Sequence, residues 1–272
     1  MNEFLNIKAK KSLGQNFLKS KKALSAMVEA GEVGEKDIVL EAGPGKGALT
    51  EELLKKADKV IAVEKDDVLM EFLRQKFSAD IASGKLELIH GDILDFNPTT
   101  HNLKPKTYKL LANIPYYITG QFLRKFLSGE NQPSKMVILL QKEVVKRIVA
   151  NDGKESILSI SVKAYGKPKN IGKVSKENFS PKPKIDSAIL LIDDISRVFF
   201  KDDGEEKKFF ELVKAGFAHK RKLLARNMGH LAKNREDLEK IFETCAIPPK
   251  ARAEDIKLEQ WKRITKETLC QL

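Results

Sequence analysis

Short apolar runs that stop at a glycine or an acid, followed by helix-spaced leucines, confine this chain to an alternating α/β architecture. Val39-Leu40-Glu41-Ala42 reads as a strand and runs straight into Gly43-Pro44-Gly45-Lys46-Gly47. Ala48 to Lys56 then places Leu49, Leu53 and Leu54 on one helical face. Lys59 to Val63, Leu86 to Ile89, Tyr108 to Ala112 and Met136 to Leu140 repeat the strand pattern, and Ile185 to Ile192 adds another. Val68 to Phe77 and Glu143 to Ala150 read as helices between them. Such alternation predicts a mostly parallel sheet with helices on both faces, whose ligands collect outside the carboxyl ends of the strands.

From about Phe199 the strand pattern stops. Lys207 to Ala218, Glu236 to Cys245 and Leu258 to Leu269 carry helix spacing, and Lys201-Asp202-Asp203-Gly204 reads as a linker. The expected division is a sheet domain over residues 1–198 and a small all-helical domain over 199–272.

The strand ends carry the chemistry. Gly43-Pro44-Gly45-Lys46-Gly47 has the spacing G-x-G-x-G, which is neither the dinucleotide fingerprint nor a phosphate-binding P-loop. Glycines there let backbone approach a ligand closely. This leaves a nucleoside without a pyrophosphate, such as S-adenosylmethionine. Glu64 ends the next strand, where an acid can accept both ribose hydroxyls. Asp92 ends the third strand, placed to accept from an adenine amine. Leu110-Leu111-Ala112-Asn113-Ile114-Pro115-Tyr116-Tyr117 ends the fourth. It offers an amide oxygen, a proline-fixed carbonyl and an aromatic ring, the parts needed to hold a flat base by its exocyclic amine. A turn closing a strand is the plainer account of each motif taken singly.

The net charge is +12, which makes a polyanion a plausible partner. Lysines cluster over residues 8–22 and 163–184. Lys214, Lys220, Arg221, Lys222 and Arg226 share a segment with no acid. Three clusters with few acids point to nucleic acid more than to solvated faces. No apolar run is long enough to suggest a membrane span. Met1 to Lys11 lacks the apolar region of a signal peptide. Cys245 and Cys270 make neither a zinc site nor a disulfide framework. A cytoplasmic protein without a metal is expected.

The ordered set of motifs resembles the small-subunit rRNA adenine N6-dimethyltransferases, over nearly the whole length. It runs from Gly14-Gln15-Asn16-Phe17-Leu18 through Glu41-Ala42-Gly43-Pro44-Gly45, Val63-Glu64, Gly91-Asp92 and Asn113-Ile114-Pro115-Tyr116. It continues with Phe179-Ser180-Pro181-Lys182-Pro183, the basic stretch Phe217 to Lys222, and Arg252-Ala253-Glu254-Asp255. The resemblance implies a class I methyltransferase, Rossmann-like sheet domain followed by a small helical domain. It implies S-adenosylmethionine as methyl donor, held by Asn16, Leu18, Gly43, Glu64, Asp92 and Asn113, with Gln15, Gly45, Lys65 and Ile93 beside them. It implies dimethylation at N6 of two adjacent adenosines near the 3′ end of small-subunit rRNA. The partner would be the small ribosomal subunit or its assembly intermediate, met by a monomer.

Asn113 and the Pro115 carbonyl would accept from the target amine, Tyr116 would stack on one face of the base, and Phe179 on the other. Lys220, Arg221, Lys222 and Arg226 would lie against RNA phosphates. Three rival readings share parts of this pattern. They are a large-subunit rRNA methyltransferase of the macrolide-resistance type, a DNA adenine methyltransferase, and a non-catalytic assembly factor.

Overall fold

The computed structural model describes residues 7–10, 13–229 and 235–270. Its elements, in chain order, are β1 (Phe17–Leu18), α1 (Lys21–Ala30), β2 (Ile38–Ala42), α2 (Ala48–Leu54) and β3 (Lys59–Glu64). Next come α3 (Asp67–Lys76), α4 (Ser78–Ala82), β4 (Leu86–His90), β5 (Tyr108–Ala112), α5 (Thr119–Ser128) and β6 (Lys135–Gln141). Then follow α6 (Lys142–Val149), α7 (Ile157–Lys163), β7 (Lys167–Val174), β8 (Phe179–Ser180) and β9 (Ser187–Asp193). Helices α8 (Asp203–Gly216), α9 (Leu224–Met228), α10 (Arg235–Thr244) and α11 (Leu258–Cys270) complete the order.

Seven strands form one sheet in the order β4-β3-β2-β5-β6-β9-β7. The first five are parallel to their neighbours, while β9 runs antiparallel to both β6 and β7. The expected α/β class with a mostly parallel sheet is what the chain adopts. Val39 and Leu40 point to opposite faces and are both fully buried, as are Leu110 and Leu111. Central strands covered on both faces must read as continuous apolar runs, which is why β2, β3, β5 and β6 stand out in the sequence. One face packs Val39, Val60, Leu111 and Val137 against Met27 of α1 and Leu53 of α2. Strand order reverses between β2 and β5, so a crevice opens at their carboxyl ends.

Contacts divide the chain into two units. The first runs to Val145 and takes in Gly166–Ile195; the second joins Lys146–Tyr165 to the residues from Ser196 onward. The expected boundary near residue 198 lies close to Ile195, but residues 146–165 group with the helical unit rather than with the sheet. Their partners explain it: the Glu155 N–H donates to the Glu254 carbonyl at 2.8 Å, and Lys154 pairs with Glu254 at 3.5 Å. The stretch read as a linker is the start of a helix. Asp202 caps α8 by accepting from the Glu205 N–H at 2.8 Å, and Asp203 and Gly204 are already helical.

Phe179 departs from its expected role. It is only 3% exposed and packs in the sheet-face core. Strand β8 pairs antiparallel with β1, setting Phe179 opposite Leu18. Burial of a large apolar ring against that core outweighs exposing it to a ligand, so Phe179 anchors the two-stranded ribbon instead of facing a base.

Candidate functional site

A cavity open to solvent, with about 1120 Å³ of atom-free space, lies at the carboxyl ends of β2, β3, β4 and β5. Gln15, Asn16, Leu18, Gly43, Gly45, Glu64, Lys65, Asp92, Ile93 and Asn113 all line it, and so do Pro115 and Tyr116. Phe179 does not. Residues 13–18 form a strap along one wall.

The turn after β2 brings backbone to the cavity floor. Gly45 has φ +60°, and a Cβ built there would come within 3.1 Å of the Phe17 ring. The positive φ favours glycine, and the tight approach to Phe17 adds to it. The Gly45 N–H donates to Glu64 Oε2 at 3.1 Å, while Glu64 Oε1 accepts from the N–H groups of Lys65 and Asp66, each at 2.9 Å. The Glu64 carboxyl is thus fixed with its remaining acceptor capacity on Oε2, since Oε1 already takes two N–H groups. Burial pushes its pKa up, against the pull of those three backbone bonds.

Asp92 sits one strand further along. Its Oδ1 accepts from the Leu94 N–H at 2.9 Å and its Oδ2 from Lys65 Nζ at 2.8 Å. Burial would raise this carboxyl, but the lysine and the backbone bond outweigh burial and hold it below the usual range. It is ionised at neutral pH.

Asn113, just past β5, donates through Nδ2 to the Asn16 carbonyl at 3.2 Å. That bond uses one of the two amide N–H groups. Oδ1 has no protein partner among the described residues, and the residue faces the cavity. The Pro115 carbonyl accepts a long 3.3 Å bond from the Ile118 N–H and keeps a second lone pair. Tyr116 follows at the start of a short 3-10 turn, its hydroxyl 2.7 Å from Ser187 Oγ.

The strap is held from several sides. Gln15 Nε2 and Lys10 Nζ donate to the two oxygens of Asp66 at 3.0 and 2.9 Å. Asp66 also caps α3, accepting from the Val68 N–H at 2.9 Å. Burial raises its carboxyl, yet these donors together hold it below the ordinary aspartate value. Lys46 Nζ lies 5.2 Å from the Phe17 ring centre, within cation–π reach. Gln15 therefore lines the cavity while spending its side chain on Asp66 and, at 2.8 Å, on the Lys10 N–H.

In the helical unit, Lys220, Arg221, Lys222 and Arg226 are all exposed. The first three sit in the turn between α8 and α9, which Asn227 holds by donating to the His219 carbonyl at 3.1 Å.

The family described as "Ribosomal RNA adenine dimethylase" matches residues 6–269. The chain belongs to this family. Among its relatives is the ribosomal RNA small subunit methyltransferase A of Dehalococcoides mccartyi (strain CBDB1), 41% identical, covering 98% of this chain and 91% of the relative. A dimethyladenosine transferase from Plasmodium falciparum superposes with a TM-score of 0.77 at 25% identity, over 91% of this chain and 95% of its own. The 23S rRNA methyltransferase ErmE shares the fold, with a TM-score of 0.76 at 24% identity over 92% of this chain and 98% of its own.

Within this dimethylase site, Glu41 was legible as a motif residue but not as a cavity residue. It is 1% exposed, accepts from Thr50 Oγ1 at 2.7 Å and borders the cavity. Burial, with the Glu64 charge adding to it, pushes its pKa up to about 8. The unfolded chain releases this proton near pH 4.5. Between those values the folded state holds a proton that the unfolded state lacks, so stability falls as pH rises through the window. Glu41→Gln stays neutral throughout and should flatten that fall. Melting curves of the two proteins are expected to differ little near pH 5 and to favour the variant at pH 8, by an amount on the order of 3–5 kcal/mol. A pH-independent gap would refute the assignment. Tyr117, 67% exposed, also lines the cavity.

Proposed function

We propose that this chain transfers methyl groups from S-adenosylmethionine to N6 of two adjacent adenosines near the 3′ end of small-subunit rRNA, two to each. The observation that carries the reading is the orientation of Asn113. Its amide nitrogen donates to the Asn16 carbonyl of the strap, which leaves the amide oxygen free to accept from a ligand, and both Asn113 and Pro115 line the cavity. Two acceptors at one strand end match the two N–H groups of an adenine amine. Family membership and the small-subunit relatives support the choice of RNA.

The residues present suit the donor. Glu64 Oε2 keeps an acceptor site for a ribose hydroxyl, Asp92 for an adenine amine, and Gly43 and Gly45 bare backbone for close approach. S-adenosylmethionine supplies, when bound, a methyl group already activated on a sulfonium. Asn113 and Pro115 would pull on the N–H groups, which turns the nitrogen lone pair out of the ring and toward the methyl. Tyr116 would stack on the base and fix its plane. Placement of the two reacting atoms then supplies much of the rate. No base is needed before attack, because the proton leaves afterwards. Lys220, Arg221, Lys222 and Arg226 would hold phosphates, contacts that position the RNA without reading its sequence. The protein would act as a cytoplasmic monomer on the small subunit or its assembly intermediate.

The test is transfer from labelled donor to unmethylated small and large ribosomal subunits, with mass mapping of the product. N6,N6-dimethyladenosine near the small-subunit rRNA 3′ end is expected. Label confined to large-subunit rRNA would overturn the reading. Donor binding with no transfer to small subunits or their assembly intermediates would leave only an assembly factor.

A further inference from the structure

Ser187 stands outside every motif role assigned above, yet it is fully buried and its hydroxyl lies 2.7 Å from that of Tyr116. Its place follows from topology. Parallel strands present their carboxyl ends to the cavity, but β9 runs the other way. Its first residue therefore arrives where its neighbours' last residues do. Ser187 lies opposite Gln141, the last residue of β6, and Val174, the last residue of β7. Flanking strands on both sides hold its backbone.

Tyr116 is gripped at two points. The Thr119 hydroxyl donates to its carbonyl at 2.8 Å, which fixes the backbone of the turn. The Ser187 hydroxyl fixes the far tip of the ring. A tyrosine has two freely turning side-chain bonds before its ring, and anchoring both ends stops both. Burial pushes the phenol pKa up, so Tyr116 keeps its proton at neutral pH and the pair is a neutral O–H···O bond.

We propose that Ser187 is a positioning residue for methyl transfer: through the Tyr116 hydroxyl it sets the ring plane on which the target adenine stacks. This rests on the stacking role given to Tyr116 in the proposed function. Ser187 itself touches neither base nor donor. A stacking platform alone needs only a ring, so phenylalanine would serve in place of Tyr116. A locked platform needs the hydroxyl and its partner.

The experiment is a double-mutant cycle of Ser187→Ala, Tyr116→Phe and the double variant. It is read by single-turnover methylation of unmethylated small subunits, by KM for the subunit and by donor affinity. Each single variant is expected to lose roughly tenfold in the chemical rate, about 1.4 kcal/mol. KM and donor affinity should stay within about twofold of wild type. The double variant should be no slower than either single one, because both remove the same bond. Multiplying defects, or unchanged rates in both single variants beside an active wild type, would overturn the proposal. So would a Ser187→Ala defect that appears equally in donor affinity, since that is the mark of a merely structural serine. Tyr116→Phe leaves the buried Ser187 hydroxyl without its partner, and Ser187→Ala does the same to the Tyr116 hydroxyl, so the double variant, which removes both, keeps the cycle readable if either single variant folds poorly. An inactive wild type would strike at the proposed function itself and is thereby distinguished from failure of this inference.

Discussion

Asn113→Ala is expected to bind the methyl donor within a few-fold of wild type and to lose roughly 10²–10³ of its turnover. The size follows from what the amide would do. Its oxygen acts on a nitrogen whose charge changes during transfer, so its value is greatest in the transition state. The amide nitrogen does a separate job, holding the Asn16 carbonyl at 3.2 Å. Losing that neutral bond costs about 0.5–1.5 kcal/mol, which is the source of the small change in donor affinity. Asn113→Asp separates the two roles, because it keeps an acceptor and drops the tether. It should be faster than the alanine variant while sharing its donor affinity. Calorimetric titration of the donor and single-turnover methylation of small subunits measure both. Near-normal turnover in Asn113→Ala would end the proposed mechanism.

Reversing Lys220, Arg221 and Lys222 to glutamate together is expected to weaken rRNA binding by about 100-fold or more near physiological salt. The three lie exposed in one turn. The diagnostic is the salt dependence. Three lost phosphate contacts should lower the slope of log affinity against log salt by about 2–3 units. Donor affinity should not move, since these residues lie outside the cavity lining. Filter binding across a salt series reads the slope directly. An unchanged slope with unchanged affinity would make this turn an ordinary solvated one.

The parts of the fold that the sequence discloses are those with no choice. Strands β2, β3, β5 and β6 are buried on both faces, so every residue type in them is constrained. Strand β7 escapes notice because it is an edge: Lys167, Pro168, Lys169 and Gly172 suit solvent and blunt an open edge, and they resemble a loop. Asp202-Asp203-Gly204 misleads because a helix cap and a linker draw on the same residues. Gly43, Gly45, Glu64, Asp92 and Asn113 were legible from their place after apolar runs, whereas Gln15, Asn16 and Leu18 came only from the family resemblance. Phe179 was not, since nothing local tells whether an aromatic ring turns inward or outward. Nor does a strand's composition give its direction, which is what brings Ser187 to Tyr116.

The pairing of acceptors at Asn113 and Pro115 makes the pocket, on the proposed roles, a counter of hydrogens. An unmodified adenine offers two N–H groups, the monomethyl product one and the dimethyl product none. The Pro115 carbonyl already has the Ile118 N–H, whereas Asn113 Oδ1 has no protein partner among the described residues. The single remaining hydrogen is therefore worth most on Asn113, which keeps the lone pair directed for a second transfer. Once that hydrogen is gone, Asn113 Oδ1 gains nothing from the base and does better with water. On those roles the finished nucleotide would lose its hold on the amide that drew in its precursor, and the reaction would stop at two methyl groups without any group that measures size.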